Sequence, residues 1–180
     1  MREMVPGRAK LLQTGVTRVS PLDVPTGTVR TTRGGILSVP ALGSCIAVIA
    51  LSVTKQIGGI AHVMLPGIAP AKAGTKPSRY AVNAIDELLR RLVHHGVDKR
   101  TLAICLVGGG NVLRRDDDTV CQANISSVRD TLKEQGLKVA AAHLGGYVRR
   151  TCTMKTKSGE VVISVGDCPP QLLWKPRECS

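Results

Sequence analysis

The sequence predicts an α/β protein of the α+β kind, with a mixed sheet rather than a regular doubly wound one. Three observations carry this. Apolar, β-branched runs of strand length cluster at both ends of the chain. Two amphipathic helical stripes lie between those clusters, with a single apolar run separating them. The resulting order is several strands, helix, strand, helix, several strands, which does not alternate as a doubly wound fold would. The chain has 180 residues, 43% hydrophobic and 21% charged, enough for one domain with a sizeable core and not the composition of a disordered segment.

Residues 1–34 are rich in Pro, Gly, Thr and Arg and have no sustained period, so they are expected to form a partly extended leader with one short strand over 10–19. Residues 36–39 are a short apolar run ending at Pro40. Cys45-Ile-Ala-Val-Ile-Ala-Leu51 is continuously apolar and predicts a strand buried on both faces. Lys55-Gln56 marks a turn, and residues 58–65 form a second apolar run, closed by Pro66-Gly67. The two runs predict a β-hairpin. Residues 67–78 read as a loop, with Ser78 placed to cap the helix that follows. Ala81, Ala84, Ile85, Leu88, Leu89, Leu92 and Val93 make one helical stripe; Arg90, Arg91 and His94 crowd its last turn, and Gly96 is its stop. Residues 102–107 predict a buried strand running into Gly108-Gly109-Gly110. The second helix is expected over 119–135, striped by Val120, Ile125, Val128 and Leu132 and ended by Gly136. Strands are expected over 137–143, 147–154 and 161–165. The domain is therefore placed at 35–165, with 166–180 as an extended, Pro-containing tail.

Aromatic residues are only 2% of the chain and Phe is absent, which excludes a stacking platform for single-stranded nucleic acid. The net charge is +12, from 25 basic against 13 acidic residues, and favours an acidic partner. The basic residues are scattered in pairs such as Arg114-Arg115 and Arg149-Arg150, with no block of like charge. An acidic protein suits that pattern better than nucleic acid. No apolar run approaches the roughly 20 residues of a membrane span, and the first ten residues lack a secretory signal. The expectation is a cytoplasmic protein without membrane insertion. Six cysteines stand at irregular gaps, without a C-x-x-C pair or zinc spacing, so neither a metal, a cofactor nor a disulfide framework is expected.

Four features could carry chemistry. The triglycine at 108–110 lacks the Lys-Ser/Thr of a phosphate loop and the spacing of a dinucleotide fold, and reads as a tight turn. His94 and His95 point about 100° apart on a helix and chelate poorly. Cys121 lies near a helix start, where the dipole can lower a thiol pKa, but no His is near it in sequence, so it reads as structural. Gly43-Ser44-Cys45 differs from these. Its thiol begins an apolar strand straight after a turn, and Gly43 lets main-chain N–H groups converge beside it, as an oxyanion hole requires. Seventeen residues on, His62 stands among Ala61, Val63, Met64 and Leu65. On paired strands such a His can take the thiol proton and return it to a leaving amine. Spacing alone leaves open a buried Cys and a satisfied core His.

Leu-Gly-Ser-Cys-Ile-Ala-Val at 42–48, with Gly-Gly-Ile-Ala-His-Val-Met-Leu-Pro at 58–66, resembles the signature of CheD, the chemoreceptor glutamine deamidases. Arg79-Tyr80-Ala81, Gly108-Gly109-Gly110, Asn124-Ile-Ser-Ser-Val-Arg129 and Leu144-Gly145-Gly146 follow in the family's order, so the resemblance spans about 35–165. It implies β-sandwich-like sheets flanked by two main helices, as in cytotoxic-necrotizing-factor-type cysteine deamidases. It implies hydrolysis of selected Gln side chains on the cytoplasmic helices of methyl-accepting chemotaxis receptors to Glu, with Cys45 as nucleophile and His62 as base. It also implies a CheC-like phosphatase as partner. One position departs: the family's Thr six residues before the nucleophile is Val39 here. If that hydroxyl orients the imidazole, the expectation is a slow enzyme that Val39→Thr would accelerate. The alternative is a non-catalytic chemotaxis adaptor of the same fold.

Overall fold

The computed structural model describes residues 20–71 and 76–177. They form two five-stranded sheets and two α-helices. The strands are β1 (Leu22–Asp23), β2 (Val29–Arg33), β3 (Ile36–Leu42), β4 (Ile46–Ser52), β5 (Ile57–Val63), β6 (Ala103–Gly108), β7 (Val139–Leu144), β8 (Arg150–Lys155), β9 (Glu160–Val165) and β10 (Gln171–Trp174). Helix α1 is Ala81–His94 and α2 is Val120–Glu134. One sheet runs β1-β3-β8-β9-β10 and the other β2-β5-β4-β6-β7. Both are mixed: β1 lies parallel to β3 and β6 parallel to β7, while the other pairs are antiparallel. The predicted α/β class with mixed sheets is the observed one.

The apolar runs explain the layering. Every residue of β4 is buried, because one face meets the helices and the other meets the second sheet. Ile46, Val48 and Ala50 join a core with Ile85, Leu88 and Leu92 of α1 and Val128 and Leu132 of α2. Ala47, Ile49 and Leu51 join a second core with Leu37, Val39, Cys152, Met154 and Ile163 of the other sheet. The order is thus helices, sheet, sheet. Full burial of a Leu or Ile stabilises by about 1.5–3 kcal/mol, so these two continuous layers dominate the stability. Close approach of α1 depends on Gly59 in β5, where a Cβ would lie 2.6 Å from Leu88 Cδ1 and 2.8 Å from the Arg30 carbonyl oxygen. None of the described helices is long and apolar enough to cross a membrane.

Several local expectations change. The strand expected over 10–19 lies outside the described residues. Residues 22–33, read as leader, supply β1 and β2; β1 is two residues long, and edge strand β2 (VRTTR) is too polar to stand out by apolar content. Residues 171–174 of the expected tail pair with β9. Ser78 does not cap α1. It sits in a 3₁₀ turn, Pro77–Arg79, and its hydroxyl donates to the Gly27 carbonyl at 2.7 Å. Tyr80 is the N-cap, without a side-chain cap. The strand expected over 147–154 begins at Arg150, since Gly145 and Gly146 turn with positive φ just before it.

Candidate active site

Cys45 stands one residue before β4, on a turn whose three carbonyls are all held. Gly110 N–H donates to Gly43 O at 2.8 Å, Asn124 Nδ2 to Ser44 O at 3.0 Å, and Gly109 N–H to Cys45 O at 2.9 Å. The triglycine, expected to be a tight turn, instead closes β6 at Gly108 and runs on alongside residues 43–45 as a clamp, with the turn following at 111–114. Gly108 has φ of +124°, and a Cβ there would lie 2.1 Å from the Cys45 oxygen, so no other residue fits. Among the described residues, the N–H groups of Ser44 and Cys45 have no backbone acceptor. They adjoin a groove of about 500 Å³ lined by Gly43, Ser44, Gly110, Val112, Leu113 and Val120, among others.

His62 lies on β5. In the β4–β5 register Ala47 faces His62, and Cys45 is two residues before Ala47. Cys45 packs against the inter-sheet core, as Ala47 and Ile60 do. Alternation along each strand puts the thiol and the imidazole on that same face, in a diagonal relation of roughly 7–8 Å between backbones. Among the described residues no Cys45–His62 hydrogen bond forms; a catalytic contact of this type often tightens only with substrate bound. The hairpin is thus the element that brings together the two residues singled out by sequence.

The segment 24–28 wraps His62. The ring Nδ1 lies 3.0 Å from the Val24 carbonyl oxygen, which can only accept, so Nδ1 carries the proton and donates. The His62 N–H donates to Thr28 O at 3.0 Å, and Gly27 N–H donates to His62 O at 2.9 Å. Val24 is anchored in turn, its N–H donating to Ser38 O at 2.8 Å. The imidazole's orienting partner is therefore a main-chain carbonyl. Val39 is fully buried in the inter-sheet core. Its neighbour Ser38 turns its hydroxyl to the Cys152 carbonyl at 3.3 Å. The ring thus has a hydrogen-bond partner that does not depend on a hydroxyl at position 39. Sequence reading missed Val24 because the partner is backbone and any residue type supplies it.

Burial governs the charge states. It raises the Cys45 thiol above its usual 9.0, opposed by the residue's own amide. It lowers His62 below 6.5, opposed by the Val24 contact. Both groups thus rest neutral near pH 7. Cys121 contradicts the dipole argument: its thiol donates to Asp118 Oδ2 at 2.9 Å, and burial together with that carboxylate pushes it up to about 12. His94 and His95 are exposed at the end of α1, edge to face at 5.8 Å. No group of three metal-ligating side chains occurs among the described residues.

Two supporting residues escaped the sequence reading. Asn124 is fully buried and donates to both Ser44 O and, at 3.1 Å, Met64 O. Its signal was a polar residue at core-facing spacing between Cys121 and Val128. Arg150 is buried beneath the glycine turns, donating to His143 Nδ1 at 2.6 Å, Val148 O at 3.0 Å and Gly145 O at 2.5 Å. The 145–146 turn is itself tied to the triglycine, Gly145 N–H to Gly108 O and Asn111 N–H to Gly146 O.

A family model described as CheD chemotactic sensory transduction matches residues 64–165. That stretch begins after Cys45 and His62. A probable chemoreceptor glutamine deamidase CheD of Chlorobium luteolum is 40% identical over 141 residues, 78% of this chain and 70% of that protein. One of Methanococcus maripaludis is 39% identical over 69% of this chain and 82% of that protein. One of Archaeoglobus fulgidus is 28% identical over 76% and 88% respectively.

Proposed function

The chain belongs to the CheD family, and we propose that Cys45 and His62 carry out its reaction. As a CheD protein it is a chemoreceptor glutamine deamidase, a hydrolase acting on Gln side chains. The observation that carries the residue assignment is the Val24–His62 hydrogen bond. With Nδ1 donating, the free lone pair lies on Nε2, so the ring is a base, on the same sheet face as the thiol.

The mechanism follows from the neutral resting pair. As Cys45 Sγ attacks the Gln carboxamide carbon, its proton passes to His62 Nε2, which avoids a free thiolate in a site whose burial opposes one. The carbonyl oxygen becomes an oxyanion and accepts from the Ser44 and Cys45 N–H groups, which no backbone acceptor holds and which are preorganised because the carbonyls of that turn are tied back. The imidazolium protonates the departing amine; the C–N bond breaks and ammonia leaves a Cys45 thioester. Water, losing a proton to His62, then cleaves the C–S bond. Glu is released and the thiol is restored.

The substrate Gln lies on receptor cytoplasmic helices in this reading, and the chain works in the cytoplasm. A CheC-like phosphatase partner belongs to the same proposal, on family resemblance. Exposed Val112, Leu113 and Val120 line the groove that Ser44 also lines and suit one face of an amphipathic helix; Arg115 on the same lining is paired with Asp117 at 3.0 Å. The adaptor alternative draws on Val39; the Val24 contact, which gives the ring a partner without that hydroxyl, favours catalysis. The test is ammonia release and Gln-to-Glu mass change in a receptor fragment. Absence of both with the folded protein counts against catalysis.

A further inference from the structure

We infer that Asn124 is a positioning residue of the reaction, its carboxamide fixing the Cys45 turn against the end of the His62 strand. This rests on the Cys45–His62 reading above. The β4–β5 ladder ends at the pair Ile46 and Val63, so no backbone pairing extends to the nucleophile. Asn124 takes over there. Its Nδ2 donates both protons, one to Ser44 O at 3.0 Å and one to Met64 O at 3.1 Å. Ser44 adjoins Cys45, and Met64 is two residues past His62.

The chemistry selects the residue type. A carboxamide presents two N–H donors on one planar nitrogen to two separate carbonyls without bringing a charge into the core. An ionised Asp has none, and an apolar side chain leaves both carbonyls unmet. The third polar atom of the group makes the same point: Asn124 Oδ1 is buried and has no partner among the described residues. A buried unpaired acceptor is destabilising. The next core-facing positions of the same helix, Val128 and Leu132, are apolar. The cost is tolerated where the two donated bonds set the spacing of nucleophile and base.

The experiment compares parent, Asn124→Ala, Asn124→Asp and Cys45→Ala. It records thermal melts, kcat and KM on a receptor fragment, and the pH dependence of iodoacetamide alkylation read by mass on the Cys45 peptide. In the parent, alkylation should show an inflection where His62 titrates, because the imidazole assists thiol ionisation. Both Asn124 variants should melt cooperatively and keep KM. Their kcat should fall on the order of 10²-fold, the effect of a misplacement of about 1 Å, and the His62 inflection should vanish from their alkylation profiles. Parental kcat in a folded variant overturns the inference. So does a lowered kcat with an unchanged alkylation profile, and so does unfolding of both variants, which would make Asn124 a folding residue. Cys45→Ala separates the two levels. If it still releases ammonia, the Cys45–His62 reading fails. If it is inactive while the Asn124 variants match the parent, only the positioning role fails.

Discussion

With Nδ1 of His62 donating to Val24 O, and with Cys45 and His62 both neutral at rest, the proposed mechanism gives the pH profile a definite sign. The base must be unprotonated, and its pKa lies below 6.5. kcat/KM should therefore rise with pH along an acidic limb centred below 6.5 and stay high through neutrality; a limb centred well above 6.5 would contradict the burial of His62. His62→Gln should lower turnover by about 10²–10⁴-fold, the usual contribution of a general base, with its melt retained. The Val24 contact also bears on position 39. Val39→Thr should leave single-turnover ammonia release unchanged, because the ring already has its partner. It should lower stability, because Val39 is fully buried and the new hydroxyl has no evident acceptor. An accelerated Val39→Thr would show that Val24 does not suffice. At this scale Cys45 and His62 were legible, since a thiol at a strand edge and a polar ring in an apolar run both break pattern. The amides beside the thiol were legible through Gly43, but Val24 was not, because a main-chain carbonyl leaves no mark on residue type.

Among the elements, the hairpin was readable because β4 and β5 are long, continuous and buried on both faces. Ile49 is fully buried between the sheets. Ile49→Ala should cost about 2–5 kcal/mol, or roughly 2–4 °C of Tm per kcal/mol in a chain of this size; a melt unchanged within error would contradict the two-sided burial. The turn after β6 makes a sharper prediction. Gly108→Ala would set a methyl 2.1 Å from the Cys45 carbonyl oxygen and force φ away from +124°. It should displace the nucleophile turn and reduce kcat by on the order of 10²-fold or more, while a chain this size keeps its fold. Turnover equal to the parent would mean that the triglycine does not position Cys45. Strands β1 and β2 were missed for opposite reasons. The first is two residues long, and the second is a polar edge strand whose assignment depends on pairing with β5. Nothing in residues 22–33 foreshadows that they cradle His62.

Over the whole molecule, charge and ionisation decide how stability and binding respond to solvent. Burial pushes Cys105 and Cys152 up to about 12 from 9.0, and raises Cys45. These raised thiols contribute stability that is fully present below 9.0 and is lost as pH climbs toward their folded values. His62 and His143 are lowered from 6.5, so their contribution is present above 6.5 and lost as pH falls below it. Denaturant midpoints should therefore peak between those limits; a midpoint still rising above pH 9 would contradict the buried thiols. The +12 charge was plain in the sequence and favours an acidic partner. Receptor binding should weaken as salt shortens the screening length from about 10 Å at 0.1 M to about 3 Å at 1 M. The layered arrangement was legible only as a class, since strand order across two sheets depends on pairings between residues far apart in the chain. The most direct test of the central claim is mass spectrometry of a receptor fragment incubated with the wild-type protein and with Cys45→Ala. The account predicts Gln-to-Glu conversion by the wild type and none by a Cys45→Ala protein of unchanged melt. Conversion by folded Cys45→Ala at the wild-type rate would contradict it.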